Sequence, residues 1–113
     1  MSKQIIGNDN LAPAVVVPGL VFASGQVGQG DIATATTQSL TALKEVLELS
    51  GSSLEKVVKF NIYLKDMDDM LAMNDTFVSL LPAGPKPART CIQAGKLPGG
   101  ENARIEIEAI AQI

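Results

Sequence analysis

At 113 residues with a formal net charge of −3, no histidine and a single cysteine, the chain has the length of one small domain, and 1–113 reads as a single unit. Mild acidity, with no Lys/Arg cluster and no aromatic-rich stripe, excludes a groove that tracks a phosphate backbone, so no nucleic acid is expected as a partner. Without histidine, the commonest general base near neutral pH and the commonest transition-metal ligand are both missing, and any chemistry falls to carboxylates, the thiol, arginine or backbone groups.

One cysteine admits no internal disulfide, and "MSKQIIGNDN" has neither the apolar core of a signal peptide nor the arginines of a transit peptide. No apolar run approaches the roughly 20 residues that span a bilayer. A soluble, cytoplasmic protein with no membrane contact is expected.

In chain order, a short strand at Gln4 to Ile6 precedes "AVVVPGLVFASGQ", two β-rich runs (Ala14 to Val17 and Leu20 to Ser24) around the turn pair Pro18-Gly19. From Asp31 the period changes. Ile32, Thr36, Leu40, Leu43, Val46 and Leu47 form one helical stripe that Gly51 stops, a helix of about four to five turns. "SSLEKVVKFNIYLKD" opens on a capping-box pattern, Ser52 to Glu55, then alternates as a strand with Val58, Phe60, Ile62 and Leu64 on one face. Asp66 and Asp68 suit the cap of a second helix with the stripe Met67, Met70, Leu71, Asn74, Phe77, Val78 and Leu81, ending before Pro82. "PAGPKP" reads as a rigid loop, Arg89 to Ala94 as a strand, "LPGGEN" as a turn, and Arg104 to Ile113 as a last strand that alternates Ile105, Ile107 and Ala109 against Glu106, Glu108 and Ile110.

This order predicts an α+β fold, one sheet with both helices on one face. The other face, read as Val57, Asn61, Tyr63, Cys91, Gln93 and Ile110, is too apolar for open water and too polar for an ordinary core, which suits burial against another copy of the chain.

Arg89 and Cys91, two apart on a strand, project to the same side. Arg89 is either an exposed ion-pair residue or, through its planar fork of donors, a carboxylate binder. Cys91 reads first as a half-buried packing residue that can line a pocket, because no histidine is present to activate it. Glu106 and Glu108 share a face; if that face is buried between subunits, one of them becomes a desolvated carboxyl suited to acid/base work. Asn74 stands where an apolar residue is expected on the second helix. "SGQVGQG" lacks the spacing and lysine of a phosphate loop, "DMDDM" lacks the spacing of a calcium loop, and no metal site is assigned.

"PARTCIQAGKLPGGENARIEIEAIA", "VFASGQVG" and "LEKVVKFNIYLKDMDDMLAMND" together resemble the RidA family, also called YjgF/YER057c/UK114 or endoribonuclease L-PSP, over nearly the whole chain. The resemblance implies a chorismate-mutase-like fold, two helices on one mixed β-sheet, and a homotrimer with clefts between subunits. It further implies hydrolysis of reactive enamines and imines, of the 2-aminoacrylate and 2-iminopropanoate type, to a 2-oxo acid and ammonia, with no cofactor. By the same resemblance Arg89 holds the carboxylate of a small imino acid, Cys91 borders the pocket, Glu106 stands near the hydrolytic water, and Gly25 and Asn74 shape the cleft. The sequence departs from the family where enzymatically active members carry a pocket tyrosine: hand alignment puts Leu11 there. The segment after Gln26 is also shorter than usual. A non-catalytic ligand-binding or protein-interacting trimer is the alternative, and an endoribonuclease or translation inhibitor a further one, opposed by the acidic balance and the missing histidine.

Overall fold

Pro18 and Gly19 form the two-residue turn that the sequence calls for. Gly19 takes a positive φ of 83°, which a glycine tolerates at the third position of a type II turn, and Val17 pairs with Leu20 across it. A computed structural model describes residues 3–7 and 13–113. Its strands are β1 (Gln4–Ile6), β2 (Ala14–Val17), β3 (Leu20–Gln29), β4 (Val57–Leu64), β5 (Ala88–Gln93) and β6 (Ala103–Gln112), with helices α1 (Ile32–Leu49) and α2 (Met70–Leu80). They make one six-stranded sheet in the order β1-β2-β3-β6-β4-β5. Every pairing is antiparallel except β4 with β5, and parallel neighbours need a crossover, which α2 supplies. Helix α1 packs on β3, β6 and α2, so both helices cover one face, as the sequence pattern predicts.

Helix α1 begins and ends by local chemistry. The Asp31 carboxylate accepts from the Thr34 amide at 3.0 Å, and Gly51 follows at a positive φ of 87°. Its buried stripe meets Val21, Phe60, Ile62, Leu64, Ile105 and Ile107 in the core. Phe60 packs edge-on against Phe77 of α2 with ring centroids 5.1 Å apart.

Five local expectations are corrected. Strand β3 runs on to Gln29 rather than ending at Ser24, because pairing with β6 carries the glycine-rich segment as strand, with a register shift between Ala23 and Gln26. A second shift, between Val57 and Lys59, inserts one extra residue in β4; Val57 is therefore buried in the core, and Val58 is 41% exposed. The Ser52 to Glu55 capping box does not form, since the segment makes only a single 3₁₀ turn (Leu54–Lys56) and the Ser52 hydroxyl donates instead to the Gln112 carbonyl at 2.5 Å. Helix α2 points inward along Met73 and Phe77, with Leu81 just beyond, while Leu71 is 75% and Val78 48% exposed. The expected stripe was wider than one helix at a sheet edge can bury. Neither Asp66 nor Asp68 caps α2 itself: Asp66 accepts from the Asp68 amide at 2.9 Å and so caps a 3₁₀ turn (Met67–Asp69) that leads into the helix.

No helix among the described residues is long and apolar enough to cross a membrane.

Candidate functional site

The parallel register of β5 on β4 decides where the sequence-predicted site residues point. Arg89 pairs with Phe60, Cys91 with Ile62 and Gln93 with Leu64, all core residues of β4. Arg89, Cys91 and Gln93 therefore share the helix-covered side of the sheet. The expectation that Cys91 and Gln93 sit on the open face is overturned, because the face of an edge strand is set by its neighbour's register and not by its own alternation. Their shared orientation with Arg89 holds.

At this edge Arg89 emerges beside α2. Its Nη1 donates to Asn74 Oδ1 at 2.5 Å, and its guanidinium carbon lies 5.7 Å from the centroid of the Phe77 ring. No carboxylate pairs with it among the described residues. One amide and one ring thus fix the guanidinium of this exposed residue. Asn74 interrupts the apolar pattern of α2 because it holds this arginine. Cys91 is half-buried behind it, and burial pushes the thiol above its ordinary value of 9.0, against the lowering influence of Arg89. A protonated sulfur fits a packing role better than a nucleophile.

Glu106 lies on the opposite face. It pairs with Val27 of β3 and Tyr63 of β4, and its side chain fills the space left by Gly25: a Cβ at that glycine would stand 2.6 Å from Glu106 Cδ and 2.8 Å from Oε2. Gly25 lies within the register shift of β3, where the Ser39 hydroxyl of α1 donates to the Gln26 carbonyl at 2.6 Å and anchors the strand to the helix layer. Burial, and then the charge of Glu108, raise the Glu106 carboxyl above its usual range. Glu108, two residues on, accepts from Tyr63 Oη at 2.5 Å and from Asn61 Nδ2 at 3.2 Å. A shallow depression of about 300 Å³ adjoins it, bounded by Phe22, Ser24, Asn61 and Ile110.

The structure thus brings together Arg89, Asn74 and Cys91 on one side, and Gly25 and Glu106 on the other, but does not bring the two groups together within one chain. Leu11 lies outside the described residues. Sequence reasoning missed Phe77 as the platform under Arg89, though its spacing three residues after Asn74 on a helix was a usable signal. It also did not foresee the bonds from Tyr63 and Asn61 to Glu108, which only the β4–β6 register creates. A larger cleft of about 590 Å³ at the start of β6 is lined by Lys65, Asp66, Gln93, Glu101 and Arg104. Its cations are already engaged: Lys65 Nζ donates to the Glu101 carbonyl at 2.6 Å and Arg104 Nε pairs with Asp69 at 2.9 Å. Among the described residues, no group of three or more Cys, Asp or Glu side chains stands together as a metal ligand set.

The sequence matches the endoribonuclease L-PSP family over residues 2–113. The chain belongs to that family. Among its relatives is Protein mmf2, mitochondrial, of Schizosaccharomyces pombe, 45% identical with 98% of each chain covered. Another is the 2-iminobutanoate/2-iminopropanoate deaminase of Dermatophagoides farinae, 37% identical over 100% of this chain and 99% of that protein. In structure the chain is similar to NMB1025 of Neisseria meningitidis, a member of the YjgF protein family, at a TM-score of 0.90 and 31% identity, covering 99% of this chain and 95% of that one. Two helices on a mixed six-stranded sheet is thus a fold this chain shares with the L-PSP/YjgF family.

Proposed function

We propose that this L-PSP family chain is an imine and enamine deaminase. It hydrolyses small 2-imino acids of the 2-aminoacrylate and 2-iminopropanoate type, working as a homotrimer whose site is completed between neighbouring subunits. One observation carries the reading. Arg89 is held by Asn74 and Phe77 with its fork unpaired by any described carboxylate, while the raised carboxyl of Glu106 stands on the other face of the same sheet. A substrate that needs both must lie between two copies. The open face supports the same arrangement, since Ile5, Phe22 and Ile92 are exposed on it beside Asn61 and Glu108.

In this mechanism Arg89 binds the substrate carboxylate bidentately. The imine carbon is already electrophilic, so the protein orients it, places water and moves protons. Glu106 takes a proton as the water oxygen bonds to C2, giving a tetrahedral carbinolamine. Glu106 returns that proton to nitrogen, and as the C–N bond breaks and ammonia leaves, the carbinol hydroxyl gives up its proton to Glu106 and the 2-oxo acid forms. Such acid/base help contributes roughly 10²- to 10⁴-fold. Cys91 borders the pocket as a thiol, and no cofactor enters the scheme. An apolar residue, Leu11, at the sequence position where active members carry the tyrosine would favour imines with apolar side chains. The proposed compartment is the cytoplasm, although the fission-yeast relative bears a mitochondrial name.

A second reading, a ligand-binding trimer without turnover, is favoured by Leu11 standing where active members carry tyrosine. The test is release of ammonia and 2-oxo acid from imines made in situ by an amino-acid oxidase, against a no-protein control. Acceleration that disappears in Arg89→Lys supports the deaminase. No acceleration, with retained 2-oxo acid binding, supports the second reading. Sedimentation at about three chains' mass is expected, and a stable monomer at micromolar concentration refutes the shared site.

A further inference from the structure

Two glutamates of the same strand, two residues apart and on one face, are chemically equivalent in sequence, yet the fold treats them differently. Tyr63 is the cross-strand neighbour of Glu106, and Asn61 that of Glu108. The Tyr63 hydroxyl nevertheless reaches diagonally to Glu108 Oε1 at 2.5 Å, and Asn61 Nδ2 donates to the same oxygen at 3.2 Å. Both donors of this patch serve Glu108. Glu106 receives no hydrogen bond among the described residues, and its carboxyl occupies the room that Gly25 leaves free.

We propose that Glu108 is a positioning residue for Glu106: clamped by Tyr63 and Asn61, it holds a fixed negative charge beside the carboxyl that moves the proton. The two donors fix the Glu108 carboxylate in place on the same face as Glu106, two residues along the strand. The clamp persists through neutral pH, since the bond to Glu108 first, then burial and the charges of Glu108 and Glu106, push the Tyr63 hydroxyl up to about 12. Among the elements packed around Glu106, β3 presents Gly25 and Val27 and no charge, β4 presents Tyr63, and β6 presents Glu108. Arg104, two residues earlier on β6, is engaged by Asp69 at 2.9 and 3.3 Å. Lys59, the cation of β4 on this face, donates to the Thr90 hydroxyl at 2.8 Å beyond Asn61, and Glu108 is the charge that acts on Glu106; it makes Glu106 a stronger base, which raises the rate of proton abstraction from water.

What Glu106 does with its proton rests on the deaminase reading; the decisive measurement does not. Side-chain carboxyl carbons of the full chain in its native assembly are followed by NMR across pH, with Glu106 identified by its loss in Glu106→Gln. In Glu108→Gln the Glu106 midpoint is expected to move down, toward an ordinary carboxyl. Tyr63→Phe keeps the ring and deletes only the hydroxyl; there the two glutamates should titrate as a coupled pair, in two broadened steps. Where imines are turned over, the acid limb of the pH–rate profile should move to lower pH in Glu108→Gln, with a maximal rate lower by roughly tenfold. An unmoved Glu106 midpoint in a folded Glu108→Gln overturns the proposal. So does an unchanged single-step titration in Tyr63→Phe, which applies even where Glu108→Gln fails to fold. The expected NMR shifts in a chain that hydrolyses no imine would uphold the clamp and overturn the deaminase.

Discussion

The two faces of the sheet differ in how their polar groups are kept. On the helix-covered face Phe60, Ile62, Leu64, Ile105 and Ile107 are fully buried, and the candidate site residue Arg89 stands at the β5 edge beside α2, exposed to solvent. On the open face charged and aromatic groups stand in the middle of the sheet, with Glu106 between Gly25 and Tyr63. A dry core tolerates no unpaired charge, so that face confines its arginine to the rim. The open face keeps a carboxyl near its centre because no helix among the described residues covers it. Position in the layer, rather than residue type, separates core from site.

The difference is tested first by two glycines of one strand. At Gly28, facing the helices, a Cβ would meet the Ala35 carbonyl oxygen at 1.8 Å, and backbone cannot yield. Gly28→Ala should cost about 3 kcal/mol or more, read as loss of the cooperative thermal transition near the wild-type Tm. A variant that melts within a few degrees of wild type would refute the close approach of β3 and α1.

Next in size is complementation. If Arg89 and Glu106 act from different chains, Arg89→Lys and Glu106→Gln are each nearly inactive. Co-refolded in equal amounts, they should regain about a quarter of wild-type activity, the fraction of random interfaces carrying both intact groups. No recovery in mixed assemblies confirmed by mass would place the site within one chain.

At Gly25, facing Glu106, the obstacle to a Cβ is the end of a flexible side chain. Gly25→Ala should fold, losing roughly 1 kcal/mol, but should lower imine hydrolysis by about tenfold or more as the Glu106 carboxyl is displaced. Equal loss of stability and activity at Gly25 and Gly28 would erase the distinction between the faces.

A smaller effect concerns pH. Burial and Glu108 raise the Glu106 carboxyl in the folded chain, so ionisation disfavours the folded state. The penalty is complete above the folded pKa and absent below the unfolded value. Glu106→Gln should raise Tm at pH 7 by roughly 1–3 °C, with the gain vanishing toward pH 3. A gain that grows on acidification has the wrong sign. Least affected should be Cys91→Ser, retaining activity within about threefold, because burial keeps the sulfur protonated; complete loss would point to thiol chemistry.

Much of this was legible in the chain itself, because its causes are local. The Pro18-Gly19 turn, the start of α1 after Asp31, the Gly51 stop and the α1 stripe depend on residues within a few positions of one another, and each stands where the sequence puts it. Family motifs likewise marked Arg89, Glu106, Gly25 and Asn74 as one set. What the sequence could not state is anything settled by register between distant strands. Alternation put Arg89 and Cys91 on the same side, but only parallel pairing with Phe60 and Ile62 turned that side toward the helices. One extra residue at Val57–Lys59 exchanged the places of Val57 and Val58. The choice of Glu108 for the Tyr63 bond lies in a diagonal contact across 45 residues of chain. A strand's period of two fixes relative faces from sequence alone, whereas the absolute face is decided by hydrogen bonds to a neighbour that the local pattern does not contain.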